Sequence, residues 1–202
     1  MTADIPGQHG MRRIGLFGGT FDPIHYGHLA AAWHVRQRLG LDAVWLVVAN
    51  DPWQKRGGRV ITPAATRLGW VRASVDGVDG LEASAIEIDS GGASYTIDTL
   101  TTLRAAHPDT AGRVVVGADT APALDTWPRA EELRSMVEIV VVNRPTTQGV
   151  EVPAGWRHRH VPIPALDLSS TELRSLSAEG LSLRFLTPEP VALDIETSAV
   201  FS

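Results

Sequence analysis

Residues 18–28 read GGTFDPIHYGH and follow directly on a short apolar run, RIGLF (13–17). Two glycines and then two histidines spaced H-x-G-H, at the end of a first strand, decide how the rest of the chain is read. Paired glycines permit a tight turn and let backbone N–H groups come close to a ligand. The helix that follows, read over His25 to Leu39, presents unsatisfied N–H groups and the positive end of its dipole, a natural place for phosphate. His28, Ala32, Val35 and Leu39 are spaced i, i+4, i+7, i+11 along that helix, one stripe of its surface. His28 therefore falls on the sheet-facing side of the first turn. Two histidines in that place suit phosphate ligands; a satisfied core histidine is the competing reading. A metal pair is disfavoured, because no third His or carboxylate stands nearby at zinc-site spacing. The Walker pattern is excluded, since the only lysine, Lys55, follows Gln54, and G-x-G-x-x-G does not fit the string G-L-F-G-G-T.

Outward from this stretch, strand and helix patterns alternate. AVWLVVA (43–49), RVVVGAD (113–119) and EIVVVN (138–143) are β-branched, buried-type strands, and LEASAIEI (81–88) alternates like a strand with one polar face. RHRHVPIP (157–164) is restricted to a sheet edge by its prolines. Helical patterns cover 62–75, with Thr62 as N-cap and Pro63 at the first helical position, and also 94–107, 131–134, 169–180 and 189–200. Such alternation predicts an α/β fold: a single Rossmann-like domain whose mostly parallel sheet carries helices on both faces. Ligands in such sheets bind beyond the carboxyl ends of the strands, where GGTFDPIHYGH, GAD and the loop after Val48 all fall. Residues 1–10 read as a disordered leader, with Met11 as an alternative start, and 11–202 as the single domain.

Composition narrows the functional classes. The 202 residues carry 18 Lys+Arg against 23 Asp+Glu, a net charge of −5, which argues against a broad nucleic-acid surface. No apolar run approaches the ~18–20 residues needed to cross a bilayer, so no membrane partner is expected. The chain has no cysteine, hence no disulfide, thiolate metal site or cysteine nucleophile; a cytoplasmic location fits this. A homo-oligomer is left open.

A second anion-binding signal lies in LSSTELR (168–174). Ser169 with Glu172 forms the capping-box pattern S-x-x-E, which needs no function. Ser170, Thr171 and Arg174 go beyond that pattern and would give a second helix start suited to anionic oxygens, with an arginine clamp.

GGTFDPIHYGHL resembles the signature of the nucleotidylyltransferase superfamily, and LSSTELR resembles its I-S-S-T-x-x-R segment with Leu168 in place of Ile. SYTIDTL (94–100), VVGADT (115–120) with Trp127 beyond it, VVVNRP (140–145) and FLTPEPV (185–191) resemble, in order, segments of the bacterial nicotinate-mononucleotide adenylyltransferases. The resemblance runs from about Arg13 to about Ile195. It departs after the second strand, where family members commonly show P-P-H-K and this chain has Asp51-Pro52-Trp53-Gln54-Lys55. The lysine is kept and the histidine is gone, which puts that histidine's triphosphate contact in doubt.

The resemblance implies adenylyl transfer from ATP to nicotinate mononucleotide, giving deamido-NAD and pyrophosphate, with Mg²⁺ accompanying ATP and no dedicated protein metal site. It implies that His28, His25, Lys55 and Arg174 form the catalytic set, with His28 on the α-phosphate and the others on the triphosphate. Gly18, Gly19, Thr20, Phe21, Gly117, Asp119, Leu168, Ser169 and Ser170 join His25, His28 and Arg174 around ATP, Asp119 being placed for a ribose hydroxyl. Ser94, Tyr95, Thr96 and Trp127 fall on the pyridine-nucleotide side; a core or rim aromatic is the competing reading of Trp127. Asp22 is expected as a turn or cap residue. The 50–62 loop is a candidate to close over ATP. A nicotinamide mononucleotide or phosphopantetheine acceptor, and a non-catalytic nucleotide-binding protein, are the alternatives, although a pantetheine enzyme carries Thr where this chain has His25.

Overall fold

The alternating apolar runs become a fully parallel sheet in the computed structural model, which describes residues 12–53, 59–108, 110–143, 151–164 and 166–201. Lys55 and the 1–10 leader lie outside the described residues, as does most of the loop around Lys55. The strands are β1 (Arg12–Gly19), β2 (Ala43–Val48), β3 (Leu81–Ser84), β4 (Thr110–Gly117), β5 (Glu138–Asn143) and β6 (His158–Pro162). They lie in the order β3-β2-β1-β4-β5-β6, with every pair parallel. This is the doubly wound arrangement whose chain direction reverses beside β1. The α/β expectation holds, and β6 is the outermost strand, as Pro162 and Pro164 required.

Side-chain alternation along the strands builds two cores. On one face Phe17, Leu46, Val115, Val140 and Val142 pack against α1 (Tyr26–Leu39), α2 (Ala64–Val75), α6 (Ser170–Ala178) and α7 (Glu189–Ser198). On the other, Ile14, Leu16, Val114, Val116, Ile139 and Val141 meet α4 (Thr96–Ala106), a 3-10 turn (Ala121–Thr126) and α5 (Ala130–Met136). Successive valines of β4 and β5 thus point into opposite layers, which is why these runs read as continuously apolar.

The structure moves several boundaries. Gly18 and Gly19 do not form the turn; they close β1, paired with Val47 and Val48, because a parallel ladder uses only backbone groups. The turn falls at Asp22 and Pro23. Pro63 takes the N-cap position of α2, and Thr62 precedes the helix. LEASAIEI is not one strand: β3 pairs with β2 only over Leu81–Ser84, opposite Val44–Val47. The chain then turns into α3 (Ile86–Ser90), which carries Glu87.

The carboxyl ends of β1 and β2 are joined by one buried side chain. Arg67, 1% exposed on α2, donates to the carbonyls of Thr20 (2.7 Å), Thr62 (2.7 Å) and Asn50 (3.3 Å). Burial lowers its pKa, partly opposed by the charge of Asp22. Removing the guanidinium would leave these carbonyls short of a donor, and hydrogen bonds to charged groups contribute about 1.5–3 kcal/mol each. Arg67→Met is therefore expected to lower the unfolding free energy by about 3 kcal/mol or more in urea denaturation; a loss below about 1 kcal/mol would contradict the clamp.

Candidate functional site

Beyond the carboxyl ends of β1 and β4 lies a cavity of about 580 Å³. Gly18, Gly19, Thr20, His25 and His28 line one side of it; Gly117 and Asp119 lie at the end of β4; Ser94, Thr96 and Trp127 line the other side. One cavity therefore gathers expected nucleotide residues and expected pyridine residues from segments about a hundred positions apart.

The histidines are arranged by packing. His25 occupies the N-cap of α1 and is 2% exposed. Its ring stacks on that of His28, with centroids 3.7 Å apart and 26° between planes. Gly27 makes this possible, since a Cβ there would stand 3.0 Å from Cε1 and Nδ1 of His25. His28 is braced from the other side by Phe21, edge-on at 5.1 Å. The Phe21 ring in turn lies over Gly19, where a Cβ would come within 2.7 Å of its Cζ. Phe21 sits at φ 49°, an uncommon conformation for an aromatic residue, so this turn is strained and is held by its surroundings. The His25 N–H donates to Nδ1 of His28 at 3.3 Å. An Nδ1 that accepts a hydrogen bond carries no proton, which assigns the proton of neutral His28 to Nε2.

The loop between β1 and α1 is gripped by the C-terminal third of the chain. Arg174 donates to the Asp22 carbonyl (2.8 Å), Ser170 Oγ to the Pro23 carbonyl (2.8 Å) and Thr187 Oγ1 to the Ile24 carbonyl (2.7 Å). Arg174 also donates to Thr171 Oγ1 at 3.0 Å. Ser169 caps α6, accepting the Glu172 N–H at 3.1 Å, so this half of the predicted capping box is present. Leu168 packs beside Gly27. The LSSTELR segment thus stands next to the histidine turn, although Leu168, Ser169, Ser170 and Arg174 do not themselves line the cavity.

Asp22 is the turn residue expected, and it does more. Its carboxylate is buried, 1% exposed, and forms an ion pair with Arg59. Burial and the nearby charge of Arg59 lower the Arg174 pKa, opposed by Asp22. Sequence reading missed Arg59, Arg67 and Glu87. Arg59 and Arg67 give little local signal, because their partners beyond β1, Asp22 and Thr20, lie 37 and 47 positions away. Glu87 was hidden by the strand reading of LEASAIEI. It lines the cavity, accepts from Thr99 Oγ1 at 2.7 Å, and burial pushes its carboxyl pKa up.

On the pyridine side, Trp127 Nε1 is buried without a hydrogen-bond partner among the described residues. Tyr95 is the N-cap of α4 and faces Trp53 with ring centroids 6.2 Å apart. Among the described residues no three His, Cys, Asp or Glu side chains gather as metal ligands, and no helix is long and apolar enough to cross a membrane.

Comparison with known proteins fits this geometry. Residues 16–176 match the cytidylyltransferase-like family. A protein of Exiguobacterium sibiricum named as a probable nicotinate-nucleotide adenylyltransferase is 42% identical over 184 residues, 91% of this chain and 96% of its own. One of the same name from Saccharopolyspora erythraea is 38% identical over 182 residues, covering 89% and 85% of the two chains. The structure of Plasmodium falciparum nicotinic acid mononucleotide adenylyltransferase complexed with NaAD superposes with a TM-score of 0.77 at 17% identity, over 94% of this chain and 97% of that one; at that identity it speaks to the fold. With a relative this similar along nearly its whole length, the chain belongs to the cytidylyltransferase-like family and, within it, to the nicotinate-nucleotide adenylyltransferases.

Proposed function

We propose that the protein transfers the adenylyl group of ATP to nicotinate mononucleotide, releasing pyrophosphate and forming deamido-NAD, in the cytoplasm. The observation that carries this reading is the stacked histidine pair, with Nδ1 of His28 accepting the His25 N–H, in one cavity with Ser94, Thr96 and Trp127.

The acceptor is a phosphate monoester whose second pKa is about 6, so it is already nucleophilic at neutral pH and needs no general base. Its phosphate oxygen attacks the α-phosphorus, and the bond to the β-phosphate oxygen breaks with its electron pair leaving on pyrophosphate. Catalysis then reduces to holding the two anions in line and stabilising charge on the equatorial and leaving oxygens. In this reading His28 donates from Nε2 to the α-phosphate, and His25 and Arg174 hold the triphosphate together with Lys55. A guanidinium has five N–H donors; those of Arg174 not engaged by the Asp22 carbonyl and Thr171 remain for phosphate. Gly18, Gly19, Thr20 and Phe21 offer backbone to the nucleotide, while Leu168, Ser169 and Ser170 support the turn that carries the histidines, the last by bracing Pro23. Gly117 and Asp119 serve the ribose. Ser94, Tyr95 and Thr96 receive the pyridine nucleotide, and Trp127 stacks on its ring. Mg²⁺ fits this donor set as a companion of ATP, held largely by substrate phosphates, where it neutralises charge on the leaving group.

Pyrophosphate release with ATP and Mg²⁺, offering nicotinate mononucleotide, nicotinamide mononucleotide and phosphopantetheine separately, tests the assignment. Turnover is expected with the first and at least tenfold less with the others, about 1.4 kcal/mol of discrimination; preference for another acceptor would move the protein to a sister activity. His28→Ala should lower kcat by ~10²–10³, the usual loss for one transition-state donor, and an unchanged rate would remove its role. Gly27→Ala separates packing from stability. The substitution favours the helix by ~1 kcal/mol yet crowds the His25 ring, so the melting temperature should hold or rise while kcat falls about tenfold or more. Wild-type turnover in Gly27→Ala would show that the stack is dispensable.

A further inference from the structure

Glu87 is an oddity in this cavity. Both proposed reactants are anions, and an ionised carboxylate in the wall repels them. Burial has already raised the pKa of this carboxyl, against hydrogen bonds that pull it down. A half-buried acid in such a place needs a compensating role, and its hydrogen bond to Thr99 defines one. Thr99 Oγ1, on the first turns of α4, donates to Glu87 Oε1 at 2.7 Å. The nearby Ser94 hydroxyl also pulls the Glu87 pKa down. Ser94 Oγ accepts the Asn50 N–H at 2.8 Å.

These bonds close a network around the segment that precedes α4. The Ser94 N–H donates to the Asp51 carbonyl at 3.1 Å, and the Asn50 side-chain amide donates to the Gly92 carbonyl at 2.9 Å. Asn50 follows β2, and its carbonyl is one of the three held by Arg67. The segment from Gly92 to Ser94 is therefore fixed to the sheet edge through Asn50 and Asp51, and the start of α4, which follows it directly, is tied to α3 through the Thr99–Glu87 bond. Ser94, Thr96, Thr99 and Glu87 all line the cavity on the side opposite the histidines.

We infer that Glu87 is a positioning residue for the acceptor nucleotide: its carboxylate holds Thr99, and with it the start of α4, in the geometry that receives the pyridine mononucleotide. The inference rests on the proposed function and adds to it a residue that touches neither reacting phosphate. Because the network lies on the acceptor side, its loss should be felt in acceptor binding rather than in the chemical step or in ATP binding.

Steady-state kinetics with each substrate varied in turn provide the test. Glu87→Ala should raise KM for nicotinate mononucleotide about tenfold, equivalent to about 1.4 kcal/mol, with kcat and KM for ATP changed by less than about twofold. Glu87→Gln retains an acceptor oxygen for Thr99 and a similar volume, and should recover about half of that loss on a logarithmic scale. Unchanged acceptor KM in both variants would overturn the inference. So would a parallel decline of kcat and both KM values, which is the mark of a general structural defect. If the alanine variant fails to fold, the split in Glu87→Gln decides alone. Wild-type protein assayed alongside keeps the two ideas apart: normal wild-type turnover with unaffected variants refutes only the role of Glu87, whereas absent wild-type turnover refutes the proposed function.

Discussion

The arrangement depends on one buried guanidinium. Strands of a parallel sheet end on the same edge, and the backbone carbonyls just beyond them lose their ladder partners where the ligand is to bind. Arg67 meets that constraint for two adjacent strands at once, taking the carbonyl of Thr20 beyond β1 and that of Asn50 beyond β2, and it also holds Thr62 at the entrance to its own helix. The planar fork of arginine can reach several carbonyls from one rigid group, which an ammonium on a flexible stem does less well. The turn carrying the histidines and the wall carrying Ser94 are both connected to this single side chain. They keep their separation across the cavity for that reason.

Arg67 also belongs to a local charge pattern that runs against the protein as a whole. Net charge is −5, yet the buried carboxylate of Asp22 lies among Arg59, Arg67 and Arg174, of which Arg67 and Arg174 sense the Arg59 guanidinium. Three cations around one anion leave a local positive surplus next to the histidine turn. Asp22 makes the cluster tolerable in the absence of a ligand, and the remaining positive charge suits an anion with several oxygens. Such preorganised charge needs no rearrangement when substrate arrives.

Much of this was legible in the chain, and what was not has a common physical origin. The β-branched runs of β2, β4 and β5, the prolines that confine β6 to the edge, and the Ser169 cap are local properties, and each holds in the structure. The two motifs that resemble the family also end up side by side, since Ser170 and Arg174 grip the Pro23 and Asp22 carbonyls. The errors arose where tertiary pairing decides the outcome. Glu87 reads as the polar face of a strand, but the β2–β3 pairing ends at Val47 and Ser84 and the chain folds into a helix that places the carboxyl in the cavity wall. Arg59 reads as a loop charge until Asp22, 37 positions earlier, is seen to be its partner. Long-range polar contacts have no periodicity to reveal them.

The H-x-G-H spacing is likewise a packing statement before it is a chemical one. A Cβ at Gly27 would crowd the His25 ring, 3.0 Å from its Cε1 and Nδ1, and with that ring displaced His28 loses its stacking partner and its Nδ1 its orientation toward the His25 N–H. Gly19 has the same function on the other side, clearing space for Phe21 to close against His28. The two glycines and the strained phenylalanine leave His28 little freedom to rotate. A donor held this way loses little entropy on meeting a phosphate. The motif therefore acts as one mechanical unit, in which the residues between and before the histidines determine where a single Nε2–H points.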